Sequence, residues 1–75
     1  TAAHDAGDIL ALITGTVARW LVDDGAEVGA GTPVVVLEAM KMEIQVTAPI
    51  GGVVHIAAQP GDSVRSGSVL GHIES

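Results

Sequence analysis

Apolar residues along this chain come in short runs that break every few positions at a turn signal. The breaks fall at Thr14-Gly15, Asp23-Asp24-Gly25, Gly29-Ala30-Gly31, Pro49-Ile50-Gly51-Gly52, Pro60-Gly61-Asp62 and Ser66-Gly67. Between them stand valines, isoleucines and threonines, whose restricted χ1 torsions suit a pleated surface. The pattern predicts strands over 8–13, 16–22, 26–28, 33–40, 42–48, 52–58, 62–64 and 69–74. Many short strands between such turns read as an all-β sandwich or flattened barrel.

The pattern also repeats. Sliding the chain by 36 residues lays Gly15, Val17, Gly25, Val28, Gly31 and Glu38 onto Gly51, Val53, Gly61, Val64, Gly67 and Glu74. Thr32 with Ser68, Val34 with Leu70 and Leu37 with Ile73 agree in kind, and Trp20 meets Ile56. The weight lies in the glycines, which recur where turns are needed. Two halves of about four strands each, related by an approximate two-fold axis, would bury their apolar faces against one another.

One stretch resists this reading. LEAMKMEIQV, residues 37–46, is rich in helix formers and has no glycine, proline or asparagine. A helix is a rival there, with Leu37, Met40 and Ile44 on one face. Yet Val34 to Leu37 aligns with Leu70 to Ile73 of the second copy, a segment too short to hold a helix before the chain ends. As a strand, the run from 33 to 48 exceeds the usual roughly 3–10 residues unless it folds back in the middle. The centre of the run is Met40-Lys41, which predicts a hairpin with Lys41 in its turn. Tight hairpins favour Asn-Gly or Asp-Gly, because both central residues take positive φ. Met-Lys is poor turn chemistry, and a locally broken rule in a consistent sequence marks a candidate for function.

Composition narrows the chemistry. The chain has 75 residues, the size of one small domain. With a formal charge of −6 and its basic residues Arg19, Lys41 and Arg65 far apart, it lacks the cationic cluster that nucleic acid requires. It has no cysteine, so disulfides, thiolate nucleophiles and thiolate zinc sites are absent. No apolar run reaches the ~20 residues of a membrane helix, and no segment has the form of a secretory signal. A cytoplasmic protein without a membrane partner is the expectation. The start at Thr1 and the small residues of TAAHDAG suggest that residues 1–7 are the end of a flexible linker, with residues 8–75 as the folded domain of a larger polypeptide or complex.

Lys41 is the one lysine of the chain. At a hairpin tip its amine stands where an enzyme can reach it. Glu38-Ala39-Met40-Lys41-Met42, set between two glycine-punctuated halves, resembles the attachment motif of the biotin carboxyl carrier family. The resemblance runs from about residue 8 to residue 75, and the distance from Lys41 to the C-terminus is the one usual in that family. It implies a flattened barrel of two four-stranded antiparallel sheets with a quasi-two-fold internal repeat. It implies further that biotin is joined to Lys41 by an amide bond. A biotin-protein ligase would activate biotin as its adenylate, and the deprotonated ε-amine would attack the acyl carbon. Arginine could not replace it, since the guanidinium stays protonated.

The implied role is that of a carrier that does little chemistry itself, within a biotin-dependent carboxylase of the ligase class. Its partners would be a biotin carboxylase that uses ATP and bicarbonate, and a carboxyltransferase that passes the carboxyl group to an acceptor. Met40 and Met42 match the family's two methionines. They are flexible enough to adapt to a ligase and to several active sites, though strand alternation would also let one pack on the core. Ala39 completes the motif. Glu38 recurs as Glu74 where no lysine follows, which favours a structural or solvated role. Glu43 is either read by the ligase or a plain exposed carboxylate.

A lipoyl domain shares the implied fold, but lipoyl domains usually have aspartate before the lysine, where this chain has Met40. A small all-β interaction module with an unmodified lysine is the remaining rival. The chain has no insertion between Val17 and Gly25, where some acetyl-CoA carboxylase carriers have a protruding thumb, so it looks like the thumbless carriers of acyl-CoA, pyruvate or urea carboxylases and transcarboxylases. It also lacks the proline frequent before the first turn, at Ala11-Leu12-Ile13-Thr14-Gly15. His4, His55 and His72 have no metal-ligand spacing and read as satisfied surface residues. Gly51-Gly52 reads as a turn or bulge, and Trp20 as a partly buried packing residue.

Overall fold

The computed structural model describes residues 7–75. Eight strands follow in order: β1 (Asp8–Leu10), β2 (Gly15–Trp20), β3 (Glu27–Val28), β4 (Pro33–Ala39), β5 (Met42–Thr47), β6 (Gly52–Ile56), β7 (Ser63–Val64) and β8 (Val69–Glu74). Each lies inside or within a residue of its predicted span. The chain turns away earlier than expected after β1, where Ala11 N–H donates to Ser68 O and Gly67 N–H donates to Ala11 O. The linker expected at residues 1–7 lies outside the described residues except for Gly7.

The strands form two four-stranded antiparallel sheets, ordered β1-β8-β6-β3 and β5-β4-β2-β7. Exchanging β1 with β5, β2 with β6, β3 with β7 and β4 with β8 turns the first order into the second, which is the two-fold relation expected from the repeat. Single hydrogen bonds obey it as well. Gly25 N–H donates to Val54 O and Gly61 N–H to Val17 O, while Gly31 N–H donates to Ala48 O and Gly67 N–H to Ala11 O.

These pairs correct the alignment. Glu38 does correspond to Glu74, but Thr16 faces Glu38 and Val53 faces Glu74, so Thr16 matches Val53 and Val17 matches Val54. The offset is 37 up to Val17 and 36 from Arg19 onward. The extra residue is Ala18, where the β2/β4 register shifts between Val17 and Arg19. A bulge inserts one residue into one strand without altering its partner, and nothing in a sequence marks it. Gly15 therefore matches Gly52, and both are glycines for one reason. A Cβ on Gly15 would clash with Glu38 O, and one on Gly52 with Glu74 O.

The core lies between the sheets. Ile9, Val17, Val35, Leu37 and Val46 from one half meet Val54, Leu70 and Ile73 from the other, all nearly inaccessible. β4 buries four residues in succession, Val34 to Leu37, where alternation would bury two. A second register shift, between Pro33 and Val35, turns both Val34 and Val35 inward. Val36 points to the outer face, in register between Arg19 and Gln45, whose long side chains cover it. Trp20 closes one end as a partly buried packing residue. Its ring lies over Gly71, and Nε1–H donates to Ala58 O at 2.8 Å.

Candidate modification site

β4 and β5 pair through Leu37/Ile44, Glu38/Glu43 and Ala39/Met42, leaving Met40 and Lys41 as the two loop residues. Both have positive φ, 50° and 66°. This is the backbone of a two-residue hairpin turn of the I′ kind, whose twist matches the twist of the strands it joins. For residues with a Cβ such a conformation costs about 1–2 kcal/mol each. The cost is met by the pairing of the two strands and by Leu37, buried beneath them. The predicted hairpin is thus present, and so is the strain that its poor turn residues imply.

Lys41 is exposed at the apex, and its amine makes no hydrogen bond or ion pair among the described residues. Met40 is 94% exposed and Met42 62%, so neither packs on the core. Glu38 is exposed and carries no partner among the described residues. Glu43 is not a plain solvated carboxylate, because Arg19 Nη1 lies 3.3 Å from its Oε2. This pair reaches over β4, and it offsets the like charges of Glu38 and Glu43, which stand directly opposite one another.

Two depressions flank the tip. One, about 440 Å³, is lined by Thr14, Gly15, Thr16, Glu38, Ala39, Met40 and Lys41. The other, about 250 Å³, is apolar and lined by Ile13, Thr14, Ala39, Met40, Met42 and Ile44. Sequence reasoning found the motif residues but missed Ile13, Thr16, Arg19 and Ile44. Their proximity depends on cross-strand register and on the loop after β1. The one sequence signal available was the repeat, in which Thr16 and Arg19 differ from their counterparts Val53 and His55.

The two described histidines are satisfied, as expected, but they are neighbours. His55 Nε2 lies 3.0 Å from Glu74 Oε1, His72 Nδ1 lies 3.1 Å from Asp8 Oδ1, and the rings stack with centroids 6.5 Å apart. Among the described residues no three potential ligands converge on a metal position.

The profile of the family described as "Biotin-requiring enzyme" matches residues 4–73. The chain belongs to that family. Over 65 residues it is 45% identical to the biotin carboxyl carrier protein of acetyl-CoA carboxylase of Solanum lycopersicum, covering 85% of this chain and 93% of that one. Over 71 residues it is 45% identical to the mitochondrial methylcrotonoyl-CoA carboxylase subunit alpha of Glycine max, covering 93% of this chain and 10% of that one. The urea carboxylase of Kluyveromyces lactis superposes with a TM-score of 0.85 at 32% identity, covering 99% of this chain and 7% of that one. In the last two the matching stretch is a small part of a much larger carboxylase. The chain is a biotin carboxyl carrier domain, and biotin is its covalent cofactor.

Proposed function

We propose that Lys41 is the residue that bears the biotin, and that the biotinyl domain moves a carboxyl group between a biotin carboxylase and a carboxyltransferase. The observation that carries this is the presentation of Lys41 on a tight turn, exposed and without a partner among the described residues. The tip fits the group. Its amine needs no side chain to move aside before acylation, and apolar Ile13, Met40, Met42 and Ile44 border the path of an aliphatic arm. Bound biotin supplies a ureido nitrogen that takes up a carboxyl group at one active site and gives it up at another. The domain's part is to hold the arm on a rigid frame, and tethering raises its concentration at partner sites to the order of mM.

A biotin-protein ligase must recognise this tip before any carboxyl transfer. We infer that Ala39, Met40 and Met42, with Glu38 and Glu43 on the outer face, form the surface it reads. The exposure of both methionines supports this, since a long unbranched thioether can adapt to several partner surfaces. Arg19, by holding Glu43, fixes that carboxylate in place.

Intact-mass measurement after co-expression with a biotin-protein ligase tests the assignment. Wild type gains one biotinyl group and is captured by streptavidin, and Lys41→Arg gains none. An unmodified wild type, or a captured variant, overturns it. The double variant Met40→Ala with Met42→Ala keeps its thermal transition and is biotinylated more slowly. Loss of folding would instead give the methionines a structural role.

A further inference from the structure

The internal symmetry makes departures from it informative, because two equivalent halves build the same frame. Near Lys41 the halves differ in two linked ways. Glu74 is engaged by His55, whereas the equivalent Glu38 is not engaged by the equivalent Arg19, which turns instead to Glu43. Thr16 faces Glu38 across β2 and β4, whereas the residue facing Glu74 is Val53. The Thr16 hydroxyl, like the Glu38 carboxylate, makes no hydrogen bond among the described residues. An acceptor without a partner therefore stands beside a donor without one, and both line the same depression as Lys41.

We propose that the Thr16/Glu38 pair docks the ureido ring of biotin carried by Lys41, holding the ring when it is empty and rejecting it when it bears a carboxylate. The proposal rests on Lys41 as the attachment point. A cyclic urea presents an N–H beside its C=O on each of two edges, and the docked edge is the one whose nitrogen takes up the carboxyl group. Glu38 accepts from that N–H, and the Thr16 hydroxyl donates to that oxygen. A hydrogen bond to a charged acceptor is about twice as strong as a neutral one. The lysyl and pentanoyl chains rotate freely enough to turn back over Met40, whose exposed thioether borders both depressions. Carboxylation replaces the N–H proton by a carboxylate, the carboxyl group coming from bicarbonate with ATP at a biotin carboxylase. That change removes the donor on the docked edge, leaving only the second N–H on the opposite edge, and sets a second negative charge against Glu38. The domain thereby keeps an empty arm close and frees a loaded one.

The test compares amide shifts of the ¹⁵N-labelled domain with and without biotin on Lys41, after intact mass has shown the biotin to be present. The expected result is biotin-dependent shifts at Gly15, Thr16 and Glu38 in addition to those at residues 40–42, lost in Thr16→Val and Glu38→Ala. Each variant is biotinylated to completion by prolonged ligase treatment and checked by intact mass, since Glu38 also lies on the surface the ligase reads. Both positions are solvent-accessible, and unchanged melting curves check that the variants fold. Streptavidin captures the Glu38→Ala domain about fivefold faster than wild type, the factor that ~1 kcal/mol of docking represents. An arm made by acylating Lys41 with N1′-methylbiotin, which lacks the N1′–H of the docked edge and keeps only N3′–H, leaves Thr16 and Glu38 unshifted. A domain that accepts no biotin overturns both the attachment point and the dock. A biotinylated domain whose shifts stay at residues 40–42, or move to Ile13 and Ile44, overturns the dock alone. Retained shifts with the methylated arm overturn the rejection of a substituted ring.

Discussion

Replacing Met40 by glycine removes a Cβ from a backbone held at φ 50°, and nothing else of consequence, since Met40 is 94% exposed. The left-handed conformation costs a residue with a Cβ about 1–2 kcal/mol. Glycine loses more backbone freedom on folding, which costs about 0.5–1 kcal/mol relative to alanine. The difference leaves a net stabilisation of roughly 0.5–1 kcal/mol. For a domain of this size each kcal/mol moves Tm by about 4–8 °C, so the variant melts ~2–8 °C higher. Circular dichroism melts, with urea titration to confirm the sign, measure it. Met42 supplies the control. It is also exposed, but it sits in β5 with an ordinary strand backbone. Met42→Gly brings only the entropic cost and melts lower. Equal effects of the two substitutions, or a lower Tm for Met40→Gly, would refute the claim that the tip is strained. The stabilised variant is also expected to be a poorer ligase substrate if Met40 is read by that enzyme.

Trp20→Phe keeps most of the ring's packing but loses the bond from Nε1–H to Ala58 O, leaving that acceptor without its indole donor. The expected loss is about 1 kcal/mol, read as a lower urea midpoint with unchanged slope. Arg19→Ala removes an ion pair whose side chains are 56% and 49% exposed, so its intrinsic worth is about 0–1 kcal/mol. It also leaves Glu38 and Glu43 opposed without a counter-charge. The variant should melt lower than wild type in dilute buffer, with the gap closing as salt is raised to ~1 M, where the Debye length falls to about 3 Å. A gap independent of salt would place the effect in the covering of Val36 rather than in charge.

All eight strands were legible because their punctuation was. Glycine, proline and aspartate mark turns through backbone needs that do not depend on tertiary context. The hairpin was legible in a different way, by exclusion. No strand runs unbroken from 33 to 48, so the run had to fold back near its centre, at Met40-Lys41. What stayed hidden was register. The bulge at Ala18 displaced the alignment of Gly15 and Val17 by one residue, and only the facing partners Glu38 and Leu37 reveal it. The same limit hid Thr16 and Arg19 from the site. Their positions opposite β4 follow from hydrogen-bond pairing, which single-chain periodicity does not encode. Glu43 shows the consequence for one side chain, since it was read without Arg19 and its ion pair made it more than a solvated carboxylate.

The exchange of strands that relates the two sheets has a consequence for the link between β4 and β5. It carries that link onto the place where β8 ends and β1 begins, and there no peptide bond joins the two strands directly. Yet β1 and β8 pair as neighbours, Asp8 opposite His72, just as β5 and β4 do. The architecture therefore closes with or without a covalent connection at this point. A circular permutant opened between Met40 and Lys41 and joined across β8 and β1 should still assemble both sheets. Met40-Lys41 is in this sense a spare joint, relieved of the duty of specifying topology, and its residues are free to be chosen by whatever must be carried there.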